Sequence, residues 1–119
     1  MGNEVCTIWY NPACSNCRGT LKILEGKGID LRVRHYLEDP PTKEELKQAF
    51  QHIEPIHLVR QKEDEFAQWR DRVDTLETSD IVEILTSHPK VLQRPVVFWN
   101  NKAIISRPPE RVEELFPNA

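Results

Sequence analysis

Cys14 and Cys17 stand three residues apart in Cys14-Ser15-Asn16-Cys17, and this pair is where the sequence first points to chemistry. Thiolate is the reactive form of cysteine, so what matters is whether the surroundings favour negative charge on sulfur. Cys14 follows a β-branched and aromatic run and precedes a helical pattern, which puts it at or next to a helix N-cap. Free N–H groups and the positive end of the helix dipole stabilise a thiolate there, and the same groups can cradle an oxyanion. Arg18 adds positive charge in the first turn, and Cys17 is spaced to attack a disulfide or adduct formed on Cys14. Cys17 can equally be a small apolar residue on the buried face of that helix, and Cys6, inside the preceding run, reads as core packing.

Metal chemistry fits poorly. There are three cysteines, an odd number for a disulfide scaffold, and the second cysteine pair of a structural zinc site is missing. His35, His52, His57 and His88 do not form a ligand pattern with a cysteine pair, so no metal is expected. Three arginines stand out by position. Arg94 precedes Pro95 at the start of a predicted strand, Arg107 precedes Pro108-Pro109, and Arg60 closes Ile56-His57-Leu58-Val59-Arg60. A lone arginine is usually a solvated surface side chain, but guanidinium forks converging on a thiolate would hold a tetrahedral oxyanion.

The elements that must position these residues follow from patterning. Glu4 to Tyr10 reads as a buried strand, and Pro12 forces Asn11 out of helical geometry. A helix carrying Cys17, Leu21 and Leu24 stops at Gly26 and Gly28, and Ile29 to Tyr36 alternates as a second strand. Together they make a βαβ unit, parallel and right-handed by default. Thr42 with Glu45 forms a capping box that opens a helix through Leu46, Ala49 and Phe50. Helical patterns follow around Glu63 to Arg70 and Ser79 to Ser87, with Pro89 closing the last. Arg94 to Trp99 and Lys102 to Ile105 read as strands joined through Asn100-Asn101, residues that tolerate the positive φ of a two-residue turn. Pro109 then opens a final helix over Glu110 to Leu115. The order βαβ, helices, ββα is the thioredoxin arrangement, so an α/β fold with one mixed four-stranded sheet is expected. A helical insert, at about 41–91, separates the second strand from the third.

A chain of 119 residues is expected to form one domain, 1–119, with its own core. Its net charge of −3 and lack of a basic block speak against nucleic acid as a partner. The longest apolar run, Pro95 to Trp99, is far too short for a membrane span. The N-terminus has neither a basic start nor an apolar stretch, so no signal peptide and a cytoplasmic location are expected. Nothing in the composition demands an oligomer.

Several segments carry a resemblance to a known family. Asn11-Pro12-Ala13-Cys14, Tyr36-Leu37-Glu38-Asp39-Pro40-Pro41-Thr42, Leu58-Val59-Arg60-Gln61-Lys62, His88-Pro89, Arg94-Pro95-Val96-Val97 and Arg107-Pro108 occur in order at compatible spacing. In this the chain resembles the glutaredoxin-dependent arsenate reductases across nearly its whole length. The resemblance implies a thioredoxin-like fold with a helical insert and Cys14 as nucleophile, with Arg60, Arg94 and Arg107 binding the oxyanion and Asn11, Arg18 and Pro95 supporting them. It also implies arsenate as substrate, glutathione as co-substrate, glutaredoxin as partner and no bound cofactor. Two positions depart from the best-studied branch: Tyr10 stands where that branch has histidine, and Cys17 where it has serine. The Cys-x-x-Cys is reminiscent of two relatives, the small glutathione-dependent thiol-disulfide reductases and the redox-switched Spx-type transcription regulators that bind RNA polymerase. The Spx-type proteins lack the arginine corresponding to Arg107, whose presence favours an anion-handling enzyme.

Overall fold

The computed structural model describes residues 5–117. Its elements fall into two compact units, one holding the residues up to Asp39 and from Arg94 onward, the other Pro40–Gln93.

The first unit is built on the expected mixed sheet. Strands β1 (Cys6–Tyr10), β2 (Leu31–His35), β3 (Val96–Trp99) and β4 (Lys102–Ile105) lie in the order β2-β1-β3-β4. Helix α1 (Ser15–Glu25) provides the crossover that lets β1 and β2 run parallel, with Cys6 opposite Leu31 and Tyr10 opposite His35. β3 pairs antiparallel with both β1 and β4. Asn100 and Asn101 turn β3 into β4 at φ 52° and 61°, the positive pair that a tight hairpin between twisted strands requires. Cys6, Ile8, Leu24, Val97, Ile104, Val112 and Leu115 form the core, drawing on the sheet, α1 and the C-terminal segment.

The strands are shorter than their apolar patterns because backbone turns claim the ends. Gly28 takes φ 68° before β2, and His35 ends that strand by accepting the N–H groups of both Glu38 and Asp39. The final helix is a 3-10 helix, Pro109–Leu115, packed closely on α1. The peptide bonds preceding Pro95 and Pro108 are both cis.

The second unit is helical. Helix α2 (Lys43–Phe50) starts at the expected capping box: Thr42 Oγ1 accepts the Glu45 N–H at 3.1 Å, and Glu45 Oε1 accepts the Thr42 N–H at 2.8 Å. The pattern around Glu63 to Arg70 forms 3-10 helix instead of α-helix, over Asp64–Thr75, and breaks at Arg72. Helix α3 (Thr78–Ser87) supplies buried Ile81, Val82, Ile84 and Leu85. Short 3-10 helices at Pro55–Leu58 and Pro89–Val91 lead into an antiparallel bridge between Val59 and Leu92.

Candidate active site

The site forms where β1 gives way to α1. Pro12 excludes helical geometry for Asn11, and Asn11 Oδ1 then accepts the Ala13 N–H at 3.0 Å, closing a local turn. The Cys14 N–H donates to Asn11 O at 3.0 Å, which completes the turn and leaves Cys14 extended at the N-cap of α1. Its sulfur therefore sits at the end of the helix that carries unpaired N–H groups.

Five influences decide the charge on that sulfur. Partial burial pushes the Cys14 thiol up, but the Cys17 N–H, the Cys17 side chain, the Asn16 N–H and the Arg94 guanidinium favour the thiolate. The second set prevails, and Cys14 is held below the ordinary thiol value of 9.0. Cys17 behaves oppositely. It is completely buried, and desolvation, with the Cys14 charge beside it, pushes it up to about 12. The pair is thus an acidified thiol next to one that stays protonated, both free of disulfides. Cys6 is a third free cysteine, buried in the core and pushed up to about 12 by burial alone.

Two of the three singled-out arginines meet at this sulfur. Arg107 Nη1 lies 3.8 Å from Cys14 Sγ and also donates to Arg94 O at 2.8 Å. The second bond ties the loop after β4 to the start of β3, so the two guanidinium-bearing segments hold each other beside Cys14. Pro95 stands between Arg94 and β3, and its carbonyl accepts the Ser106 N–H at 3.0 Å. Arg18, exposed on the first turn, donates Nη1 to Pro12 O at 2.8 Å and so braces the turn before Cys14. Arg60 belongs to the helical unit, where its N–H donates to Val91 O and its Nε pairs with Glu63 Oε2 at 3.2 Å. Tyr10 sets its ring edge-on to His35 at 5.8 Å, across the β1–β2 pairing.

Sequence reasoning missed three residues around the site. Thr20 and Ser106 are buried polar side chains joined at 3.0 Å, and Ser106 Oγ also donates to Pro109 O at 2.8 Å. They fasten α1 to the segment that carries Arg107. The third is Tyr36, fully buried just past the end of β2, which feels Arg94, Asn11, Cys17 and Cys14. None carries a spacing signal, although Tyr36 opens one of the segments that resemble the arsenate reductases. Among the described residues no cluster of three metal-ligating side chains occurs, and no helix is long and apolar enough to cross a membrane.

Chemically, the arrangement offers an acidified thiol, backbone and guanidinium donors around its sulfur, and a second thiol alongside. Known proteins resemble the chain in sequence and in fold. The sequence pattern of the ArsC family matches residues 9–115. A Neisseria meningitidis protein named arsenate reductase is 34% identical over 109 residues, which span 89% of this chain and 93% of that one. An uncharacterised protein of Streptomyces viridochromogenes is 34% identical over 115 residues, covering 90% of this chain and 95% of its own. Among solved structures, an arsenate reductase from Vibrio cholerae superposes with a TM-score of 0.86 at 36% identity, covering 94% of this chain and 98% of its own.

Proposed function

The chain belongs to the ArsC family, and on that premise we propose that it is an oxidoreductase that reduces arsenate to arsenite, with Cys14 as nucleophile and glutathione and glutaredoxin supplying electrons. The observation that carries the reading is the Cys14 thiolate with Arg107 Nη1 at 3.8 Å and Arg94 favouring its charge. Arginine forks suit a tetrahedral oxyanion, and an anion held there places its central atom in front of sulfur. Arg60 is included as a third oxyanion-binding arginine on the family resemblance alone.

The reaction runs in two electron-balanced stages. The Cys14 thiolate attacks arsenic and a hydroxide or water leaves, forming a sulfur–arsenic bond. The thiolate of glutathione then attacks the Cys14 sulfur. The electron pair of the sulfur–arsenic bond passes to arsenic, As(V) becomes As(III), and Cys14 is left in a mixed disulfide with glutathione. Glutaredoxin returns Cys14 to the thiol by exchange. These thiols are plentiful in the cytoplasm, which is the proposed location. Cys17 favours a second route for the same electrons. Because its side chain interacts with the Cys14 sulfur, an internal Cys14–Cys17 disulfide can take the place of the mixed one or follow it.

The test is NADPH oxidation coupled through glutathione reductase, glutathione and glutaredoxin, with either arsenate or a small mixed disulfide as oxidant. Arsenate-dependent turnover in the wild type and Cys17→Ser, lost in Cys14→Ser, is the expected result and makes glutathione the resolving thiol. Loss in both variants assigns resolution to Cys17. No arsenate-dependent turnover, with mixed-disulfide reduction that persists when glutaredoxin is omitted and exceeds the protein-free rate, would replace this reading with a thiol-disulfide reductase.

A further inference from the structure

Tyr36 presents a buried hydroxyl whose proton has nowhere to go. Its side chain is fully buried, and among the described residues no well-formed hydrogen bond reaches its hydroxyl; the Asn11 side chain acts on the oxygen only as a donor. Buried hydroxyls are normally satisfied, because one without a partner forfeits the hydrogen bonds it made to water. Its place in the fold is specific. Tyr10 and His35 are the last paired residues of β1 and β2, so Asn11 and Tyr36 are the next residue on each strand at the carboxyl end of the parallel pair. Ligands of α/β sheets bind at that edge. Asn11 and Cys14 belong to the same strand-to-helix turn.

The polar groups around the hydroxyl explain why its proton has no acceptor. Arg94 carries only donors. Asn11 turns its oxygen to the Ala13 N–H at 3.0 Å and acts on the phenol as a donor. Cys17 is a protonated thiol, and Cys14 is surrounded by the donors that stabilise its charge. Burial pushes the Tyr36 phenol up, ahead of the opposing pull of Arg94 and Asn11, so it stays protonated and able to donate.

We infer that the Tyr36 hydroxyl is a further substrate-binding donor, which completes its hydrogen bonding only when a tetrahedral oxyanion occupies the space in front of Cys14. This rests on the arsenate-reducing function proposed above, and it adds a neutral donor to the cationic Arg94 and Arg107. The free protein leaves the hydroxyl unsatisfied, and the oxyanion relieves it on binding. Such a donor contributes to holding the anion without raising the charge of the site.

Tyr36→Phe tests this, since it deletes one oxygen and keeps the ring. The half-protecting concentration of arsenate against alkylation of Cys14 by iodoacetamide, and the KM for arsenate in coupled turnover, should each rise about 10-fold or more. The alkylation rate without arsenate should stay within about twofold of wild type, and Tm without arsenate should not fall, because the deleted group makes no well-formed hydrogen bond there. Unchanged arsenate protection and KM in the variant would overturn the assignment while leaving the arsenate reading intact. A lowered Tm with altered Cys14 reactivity before arsenate is added would overturn it in favour of a structural role. Failure of arsenate to protect the wild type would contradict both.

Discussion

At the scale of single residues, the account depends on Cys14 ionising more readily than Cys17 and Cys6. The Cys17 N–H and side chain, the Asn16 N–H and Arg94 outweigh the burial that opposes ionisation. The rate of Cys14 alkylation against pH should therefore show a midpoint below the ordinary 9.0, and Arg94→Ala should move it upward. Linkage gives the sign for stability. A thiol whose folded value is depressed contributes stability that is present above its unfolded value and lost as pH falls through the folded one. The stability difference between wild type and Cys14→Ser should accordingly narrow toward acid, which denaturant unfolding at several pH values will measure. A midpoint at or above 9.0 would contradict this account of the site. Much of this was legible from sequence, since Cys14 announces itself by lying between a strand pattern and a helix pattern. Tyr36 was not legible as a site residue. It closes an alternating strand pattern like any core aromatic, and only the folded register puts it beside Asn11.

At the scale of elements, the site depends on α1 keeping its distance from the C-terminal segment that carries Arg107. Gly19 shows how close that packing is, for a methyl group there would lie 2.8 Å from Pro109 Cγ and 3.2 Å from Pro109 Cβ. Gly19→Ala gains up to about 1 kcal/mol in helix propensity, but overpacking against a rigid ring costs roughly 1–3 kcal/mol. The net expectation is a lower Tm and, because the Thr20–Ser106 bond sits on the same interface, a slower turnover. A Tm above wild type would show that the ring yields and that the contact does not set the site. Element types were readable where local chemistry decides them: the Thr42–Glu45 capping box, the Asn100-Asn101 hairpin and the βαβ spacing all appear as expected. The stretch around Glu63 to Arg70 and the final helix differ, forming 3-10 geometry. Apolar spacing separates helix from strand far better than it separates i+3 from i+4 hydrogen bonding. The Thr20–Ser106 pair was invisible for another reason, since the two residues lie 86 positions apart and share no motif.

At the scale of the whole molecule, a unit built on a thioredoxin-like sheet carries Cys14, Arg94 and Arg107, and a helical unit carries Arg60. The sequence order already implied that sheet, because a parallel crossover followed by a hairpin leaves few ways to arrange four strands. What the chain acts on was legible only through resemblance. An arginine-lined thiolate specifies an oxyanion by charge and shape, whereas arsenate as the particular substrate comes from the family. The central claim, that the Cys14 thiolate reduces arsenate, is therefore tested most directly by measuring arsenite itself. Wild type and Cys14→Ser, each with its cysteines verified as reduced, are incubated with arsenate, glutathione and glutaredoxin, and released arsenite is quantified by arsenic speciation. The account predicts many equivalents of arsenite per wild-type chain and only the protein-free background from Cys14→Ser. Equal arsenite from the two proteins, or none above background from wild type, would contradict it.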